Sequence, residues 1–363
     1  MRPKAVVFLL LLGISVLLLL SSCRREDSLS LPDTLFYRIS GIHNRQCVGH
    51  INGEEVPAEL YLHWLRYSCR YWDSYVYDNS GQHIDWAAPL GGSTTYGDFA
   101  KSEAWELCKL QILTEQWYKE YGAELSSQQE QALNDERQQY IEYYGDEDAY
   151  LLALSKQGVS QQTFDRIRRL GAVYTALQQR SQSSDCPLYP SAEQLRHFGQ
   201  EQAYLTIDYI LLRTTDPSTG EDLGEDVKQQ KFRQAQALQT QLQRSAEPDT
   251  LFQQLASLYS EDTQRVLHPD GQTMKATQLP QDLTLAGELA ENQCSDILHT
   301  QDGYLLLFRR PLQVDSLRSE YFTAAFQAAL DSVSWESDPI LEHLDVDKFF
   351  QRLPPVSAGT QPL

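Results

Sequence analysis

Residues 204–212, Tyr-Leu-Thr-Ile-Asp-Tyr-Ile-Leu-Leu, are the stretch on which the fold of this chain depends. The run is apolar and alternating, a pattern that predicts a β-strand. Downstream, helical spacing of apolar residues predicts a long helix, a shorter helix at about 251–258 and a short helix at 281–291. Two strand segments, 297–298 and 303–309, close the series. The order β-α-α-β-α-β-β predicts a small α+β module, with a loop at 262–275.

Helical patterns dominate the chain before this module. The pair Asn52-Gly53 first predicts two short strands joined by a tight turn within residues 47–56. Helical tracts follow, and Ser126 or Ser127 is expected to cap one of them, with Gln129 or Glu130 three residues on. A linker with two prolines occupies residues 181–190, and after Pro311 the chain returns to helix. The fold class is therefore α+β.

The N-terminus has the layout of a secretory signal. Arg2 and Lys4 precede an apolar run at 5–20, which is shorter than the 20 or so residues of a transmembrane helix. The ending Leu-Ser-Ser-Cys at 20–23 resembles a bacterial lipobox, which implies a signal peptide at 1–22 and a lipid on Cys23. The protein would then be anchored to the cell membrane on its extracytoplasmic face. The alternative, an uncleaved anchor, draws some support from Arg24 and Arg25.

Composition excludes several functions. The chain has 363 residues and a formal net charge of −20, so we expect no binding to nucleic acid or to anionic headgroups. Apart from Cys23, five cysteines at wide spacings give no disulfide framework. Metal-binding and nucleotide-binding motifs and the serine-hydrolase motif are missing from the sequence, so we predict neither a metal nor a cofactor.

Residues 203–312 resemble the parvulin-type prolyl isomerase domain. The strand Tyr-Ile-Leu at 209–211 lies where that family has His-Ile-Leu, and residues 252–256, Phe-Gln-Gln-Leu-Ala, match a family segment that is followed by Ser-x-Asp at 260–262. Asp270-Gly271 replaces a pair of glycines, and Ser-Asp-Ile at 295–297 with Gly-Tyr-Leu-Leu-Leu at 303–307 corresponds to the closing strands. We place this parvulin-like domain at 200–312.

The flanking parts resemble the helical lobe of PrsA- and SurA-type extracytoplasmic foldases. In those proteins an Asn-Gly strand pair opens the lobe, and a helix after the isomerase module completes it. The resemblance implies a tether at 23–40, a helical chaperone lobe at 41–190, a C-terminal helix at 313–352 and a flexible tail at 353–363.

The sequence departs from the parvulin pattern at the catalytic positions. Where the family has two histidines, this chain has Tyr209 and Leu305, and Asp262 alone is retained. Leucine has no hydrogen-bonding group, and tyrosine replaces imidazole only in part. Leu279 and Leu283 are the nearest candidates for the apolar proline pocket. We therefore expect weak or absent isomerase activity, with Asp262 and Tyr209 as the candidate catalytic residues.

The resemblance and the aromatic content together favour a chaperone that binds newly exported, unfolded polypeptides. Aromatic residues crowd the sequence between 60 and 120, and such side chains give large, sequence-tolerant contact areas. Tyr67, Trp72 and Tyr75 are the candidates for a client-binding surface. Two alternatives stay open: an active prolyl isomerase with an altered site, and a scaffold for one dedicated surface partner.

Overall fold

The computed structural model describes residues 35–354. The predicted signal peptide, Cys23 and most of the predicted tail lie outside the described residues. Two compact units divide the chain: residues up to Pro187 together with those from Ala325 onward form the first, and Leu188–Ala324 form the second. Among the described residues, no helix has both the length and the apolar character that a membrane span requires.

Among the described residues, seven helices lie wholly within the first unit. They are α1 (Leu35–Ser40), α2 (Ala58–Ser80), α3 (Tyr96–Glu120), α4 (Ser127–Tyr144), α5 (Glu147–Lys156), α6 (Gln161–Arg180) and, near the C-terminus, α11 (Val346–Gln351). The predicted cap of α4 is confirmed: Ser126 accepts from the Gln129 amide, and the Gln129 side chain accepts from the Ser126 amide. Apolar faces of these helices share one core, in which the rings of Tyr61 and Trp105 lie 5.0 Å apart.

A three-stranded antiparallel sheet lies in the same unit, with strand order β10-β1-β2. Strands β1 (Cys47–Ile51) and β2 (Glu54–Pro57) are joined by the predicted Asn-Gly turn, where Asn52 and Gly53 both have positive φ. A two-stranded ribbon, β3 (Pro89–Gly91) and β4 (Thr94–Thr95), stands apart from this sheet.

The segment at 313–352 is not the single helix that the sequence predicts there. Helix α10 (Arg318–Ser332) is followed by strand β10 (Trp335–Ser337), a 3-10 helix (Pro339–His343) and α11. Strand β10 pairs with β1, so this part of the chain contributes an edge strand as well as helices. Three exposed residues carry too little pattern for sequence analysis to detect a strand.

The second unit contains a five-stranded antiparallel sheet. Its strand order is β6-β5-β9-β7, and β8 also pairs with β9. Its elements are α7 (Ala192–Glu201), β5 (Tyr204–Arg213), α8 (Glu225–Arg244), α9 (Pro248–Tyr259), β6 (Gln272–Lys275), β7 (Gln293–Cys294), β8 (Leu298–His299) and β9 (Gly303–Arg310). The α+β class is confirmed. Two details differ from prediction: the short helix is a 3-10 helix, Gln281–Gly287, and β6 lies within the predicted loop.

The two faces of this sheet have separate cores because side chains alternate along a strand. Ile210, Leu212, Leu306 and Phe308 pack against α8 and α9, and the rings of Phe252 and Phe308 stack at 4.5 Å. On the opposite face, Leu205, Ile207 and Leu307 pack against residues of the 3-10 segments. The second face carries the residues of the candidate site.

A buried imidazole in α2 makes the stability of the first unit sensitive to acid. His63 Nδ1 lies 3.1 Å from Arg66 Nη2, and because guanidinium groups only donate, Nδ1 accepts and the ring is neutral. Burial, followed by the charges of Arg66 and Arg70, holds the pKa of His63 well below 6.5. The unfolded chain therefore binds a proton below pH 6.5 that the folded chain does not, and stability falls as pH decreases.

We expect the free energy of unfolding of the wild-type protein to decrease when the pH is lowered from 7 to 5. The decrease should exceed that of the His63→Gln variant by about 2 kcal/mol. The Gln carbonyl still accepts from Arg66 but does not titrate. Urea unfolding at the two pH values measures the difference. His197→Gln, at an exposed position, is the control and should keep the wild-type slope. Equal slopes for wild type and His63→Gln would contradict the assignment.

Candidate functional site

Tyr209 and Asp262, the two predicted catalytic residues, are brought together by the fold. Tyr209 lies near the middle of β5, and Asp262 follows the end of α9 by three residues. The Tyr209 hydroxyl donates to Asp262 Oδ2 at 2.6 Å. Burial, and then the hydrogen bond to Asp262, raise the pKa of Tyr209 far above 10. At neutral pH the phenol is therefore an uncharged donor that is held by a carboxylate.

Backbone pairing with β5 fixes the position of Asp262. The Glu261 amide donates to the Leu211 carbonyl at 2.8 Å, and the Leu211 amide donates to Ser260 Oγ at 3.2 Å. The Arg213 amide donates to a Glu261 carboxylate oxygen at 2.6 Å, and Lys231 also forms an ion pair with Glu261. Residues 260–262 thus run alongside β5 and are hydrogen-bonded to it. This pairing directs the Asp262 side chain toward Tyr209.

A buried ion-pair network holds the next turn of chain. Arg265, in the 3-10 helix Thr263–Leu267, donates to Asp208 Oδ2 at 3.0 Å. Arg310 makes two hydrogen bonds to Asp249, at 2.8 and 3.0 Å, and approaches Asp208 to 4.0 Å. Burial raises the pKa of Asp208 although Arg265 opposes the shift. Because Asp208 neighbours Tyr209 in β5, this network ties the 3-10 helix to the strand that carries the site.

Leu279 and Leu283, the predicted pocket residues, pack in the same apolar cluster as Tyr209. Leu307 lies directly opposite Tyr209 in the β5–β9 register, and Met274 of β6 also joins the cluster. Sequence reasoning missed Met274 because it lies in a segment that was predicted to be a loop. The structure therefore surrounds the Tyr209 ring with aliphatic side chains.

Leu305 lies on the same face of β9 as Leu307, since strand side chains alternate. It is almost fully buried and is paired in register with Leu211 and Leu298. Imidazole at this position would sit among aliphatic strand neighbours. Leu305 is therefore a packed core residue, and Tyr209–Asp262 is the polar pair that the described residues place at this site.

Exposed apolar side chains flank Asp262 on both sides. Val266 is 80% exposed, Leu258 is 74% exposed and Leu267 is 66% exposed, the highest values among the large apolar residues of the described chain. Tyr259 is also exposed. Sequence reasoning missed this group, which we call the 258–267 segment. The signal was the apolar pair Val266-Leu267 inside the loop predicted at 262–275.

The predicted client residues on α2 differ in exposure. Tyr75 is 55% exposed, whereas Tyr67 and Trp72 are half-buried and pack against the core of the first unit. The Trp72 ring contacts Tyr75 at 5.8 Å and Phe99 at 5.3 Å, both edge-on. Tyr75 is thus the most accessible of the three, and its ring packs against the half-buried Trp72.

No protein-family model matches the sequence. No curated protein matches it either. Solved structures that are similar to this chain include PrsA and SurA-like chaperones. PrsA from Bacillus subtilis is 17% identical, with a TM-score of 0.26, and the match covers 71% of this chain and 92% of that chain.

Two other structures extend the comparison. PrsA from Streptococcus pneumoniae is 17% identical, with a TM-score of 0.22, over 67% of this chain and 86% of that chain. A Campylobacter jejuni structure, from work on the SurA-like chaperones PEB4 and Cj1289, is 12% identical, with a TM-score of 0.23, over 79% of this chain and 93% of that chain. The function proposed below rests on the residues of this chain.

Tyr209→Phe removes the hydroxyl that Asp262 accepts from and should lower the free energy of unfolding by about 1 to 2 kcal/mol. Tyr304→Phe, on β9 of the same sheet, is the matched control, because no hydrogen bond of the Tyr304 hydroxyl is seen among the described residues. Urea unfolding of the three proteins measures both effects. A loss in the control as large as that in Tyr209→Phe would contradict the assignment.

Proposed function

We propose that this protein is a membrane-tethered, extracytoplasmic chaperone that binds newly exported, unfolded polypeptides through a degenerate parvulin-like module. The observation that carries the proposal is the 258–267 segment. Its three most exposed apolar residues, Leu258, Val266 and Leu267, fall within ten residues of sequence that also contain Asp262.

Exposed aliphatic side chains of this kind suit unfolded clients. Folded monomers rarely expose large contiguous apolar patches, and such patches commonly mark binding sites. Aliphatic contacts are non-directional, so they accept many sequences, whereas hydrogen-bonding pockets select a few. The formal charge of −20 keeps a protein with such a surface soluble and favours contact with cationic segments.

The polar side chains of the site support binding better than catalysis. Rotation about a prolyl peptide bond crosses a barrier of about 20 kcal/mol, and a catalyst lowers it by binding the twisted amide more tightly than the planar one. Leu305 offers no donor or acceptor for that purpose. The Tyr209 hydroxyl already donates its hydrogen bond to Asp262. The side chains of the site are therefore mostly aliphatic, and its polar pair is already hydrogen-bonded within the protein.

One experiment with two readouts tests the proposal on the purified protein: suppression of the aggregation of an unfolded client, and isomerisation of a proline tetrapeptide. We expect clear suppression and no isomerisation above the uncatalysed rate. Val266→Ser with Leu267→Ser should raise the concentration for half-suppression about tenfold, the effect of losing roughly 1.4 kcal/mol of apolar contact.

The matched control is Leu152→Ser with Val227→Ser, which changes exposed apolar residues outside the 258–267 segment. It should leave suppression unchanged. Equal losses in the two double variants, or no suppression by the wild-type protein, would contradict the proposal. Binding to a single protein but to no unfolded client would favour the dedicated-partner scaffold instead.

The second candidate is an active prolyl isomerase with an altered site, and the Tyr209–Asp262 pair favours it because a polar pair persists inside an apolar cluster. Catalysis by the wild-type protein that Asp262→Ala abolishes would establish this alternative. In that case Tyr209→His, which restores the family residue at this position, should retain or increase the rate.

The tether is part of the proposal and depends on Cys23, outside the described residues. Cys23→Ser removes the thiol that a lipid would occupy, and we expect the variant to leave the membrane fraction and appear in the soluble extracytoplasmic fraction. Cell fractionation of the two proteins measures this. Retention of Cys23→Ser in the membrane would favour the uncleaved anchor.

A further inference from the structure

Cys47, His50 and Glu55, three residues whose side chains can bind a metal ion, meet on one face of the β10-β1-β2 sheet. His50 lies in the central strand β1, where its register partners are Glu55 of β2 and Glu336 of β10. Directly paired residues on neighbouring antiparallel strands project from the same face. The imidazole is therefore flanked by one carboxylate on each side.

A β-bulge brings Cys47 to the same face. Three residues apart, Cys47 and His50 would normally project from opposite faces of a regular strand. The pairing shifts between them, because Cys47 pairs with Pro57 whereas His50 pairs with Glu55, so β1 contains one extra residue. Gly49 lies in the bulge with φ +156°, and a Cβ there would come within 2.2 Å of the Glu336 carbonyl oxygen. Glycine thus permits the geometry that places the thiol beside the imidazole.

The donor atoms converge. Cys47 Sγ lies 3.9 Å from His50 Nε2, and the sulfur, the imidazole nitrogen and a Glu55 carboxylate oxygen all lie within 4.8 Å of one another. The other ring nitrogen, His50 Nδ1, lies 3.1 Å from Glu336 Oε1. With Nδ1 protonated beside the Glu336 carboxylate, Nε2 carries the lone pair that faces the cluster. A carboxylate in this second position is the usual support of a metal-bound histidine.

We propose that Cys47, His50 and Glu55 bind a zinc ion, with Glu336 orienting the histidine. Zinc accepts thiolate, imidazole and carboxylate together; its bonds of about 2.3 Å to sulfur and about 2.0 Å to nitrogen place those atoms about 3.6 Å apart in a tetrahedral site. The observed 3.9 Å needs only a small closing movement. Three protein ligands leave the fourth position open to water or to another ligand.

Sequence analysis predicted no metal site because no recognised motif is present. The signal was Cys-x-x-His at 47–50, whose two residues would diverge on an unbulged strand. Bound zinc would join β1 to β2 directly and to β10 through Glu336. It would thus link the beginning of the described chain to a strand near its end.

Cobalt and zinc titrations of the purified, reduced full-length protein in detergent test the proposal. One equivalent of Co²⁺ should produce a sulfur-to-cobalt charge-transfer band, and one equivalent of Zn²⁺ should abolish it. Cys47→Ser should remove the band and weaken Zn²⁺ at least tenfold, as measured by competition with a chelator. Glu336→Gln should keep the band and weaken Zn²⁺ about 10- to 100-fold, the usual effect of losing a carboxylate behind a ligating histidine.

Cys294→Ser is the matched control, since Cys294 is another free, half-buried cysteine among the described residues. It should bind both metals as the wild type does. Should Cys47→Ser fail to fold by circular dichroism, His50→Gln and Glu55→Gln change partly or fully exposed side chains and must show the same weakening. The proposal is overturned if the wild type lacks a one-equivalent charge-transfer band, or if Cys294→Ser loses the band and Cys47→Ser keeps it.

Discussion

The antiparallel pairing of β5 with β9 is the constraint on which the second unit depends. Eight residue pairs join the two strands, from Thr206–Arg310 to Arg213–Gly303. A one-residue slip would move every apolar side chain to the opposite face, so burial on both faces fixes the register. That register sets Tyr209 opposite Leu307 and Leu211 opposite Leu305. The character of the candidate site follows from this pairing before any loop is considered.

The same strand also positions the one polar pair of the site. Leu211 exchanges hydrogen bonds with Ser260 and Glu261, and this pairing aims Asp262 at Tyr209. On the neighbouring residue, Asp208 binds Arg265 and so fixes the turn that exposes Val266 and Leu267. Buried ion pairs add little net stability, but they specify geometry when each partner needs the other. Here the contact with Asp208 holds Arg265, which directly precedes the exposed Val266 and Leu267.

Sequence patterns predicted the parts of the fold that have strong periodicity or turn chemistry. Strand β5, helix α6 and the Asn52-Gly53 turn all gave clear signals. Tyr209 and Asp262, which were named as candidates from the segments 209–211 and 260–262, form a hydrogen bond in the structure. Strand β6 escaped prediction because Gln272–Lys275 is a half-buried edge segment without apolar alternation. The Cys47–His50 contact was not predicted because the β-bulge turns the Cys47 side chain to the face that carries His50. Periodicity in the sequence does not reveal the extra residue of a bulge. Exposure at Val266 depends on tertiary contacts, which a local pattern does not contain.

In the proposed function, Tyr209 and Leu305 bear differently on binding and on catalysis. Binding of a proline segment would depend on accessible apolar area, which the half-buried Leu279 and Leu283 supply in the cluster that contains Tyr209. Catalysis depends on groups that stabilise the twisted amide more than the planar one. A leucine side chain stabilises both forms equally. A tyrosine whose proton is already donated to Asp262 must break that bond before it serves a substrate. In the proposed function, Tyr209 and Leu305 therefore contribute to binding without favouring the twisted amide over the planar one.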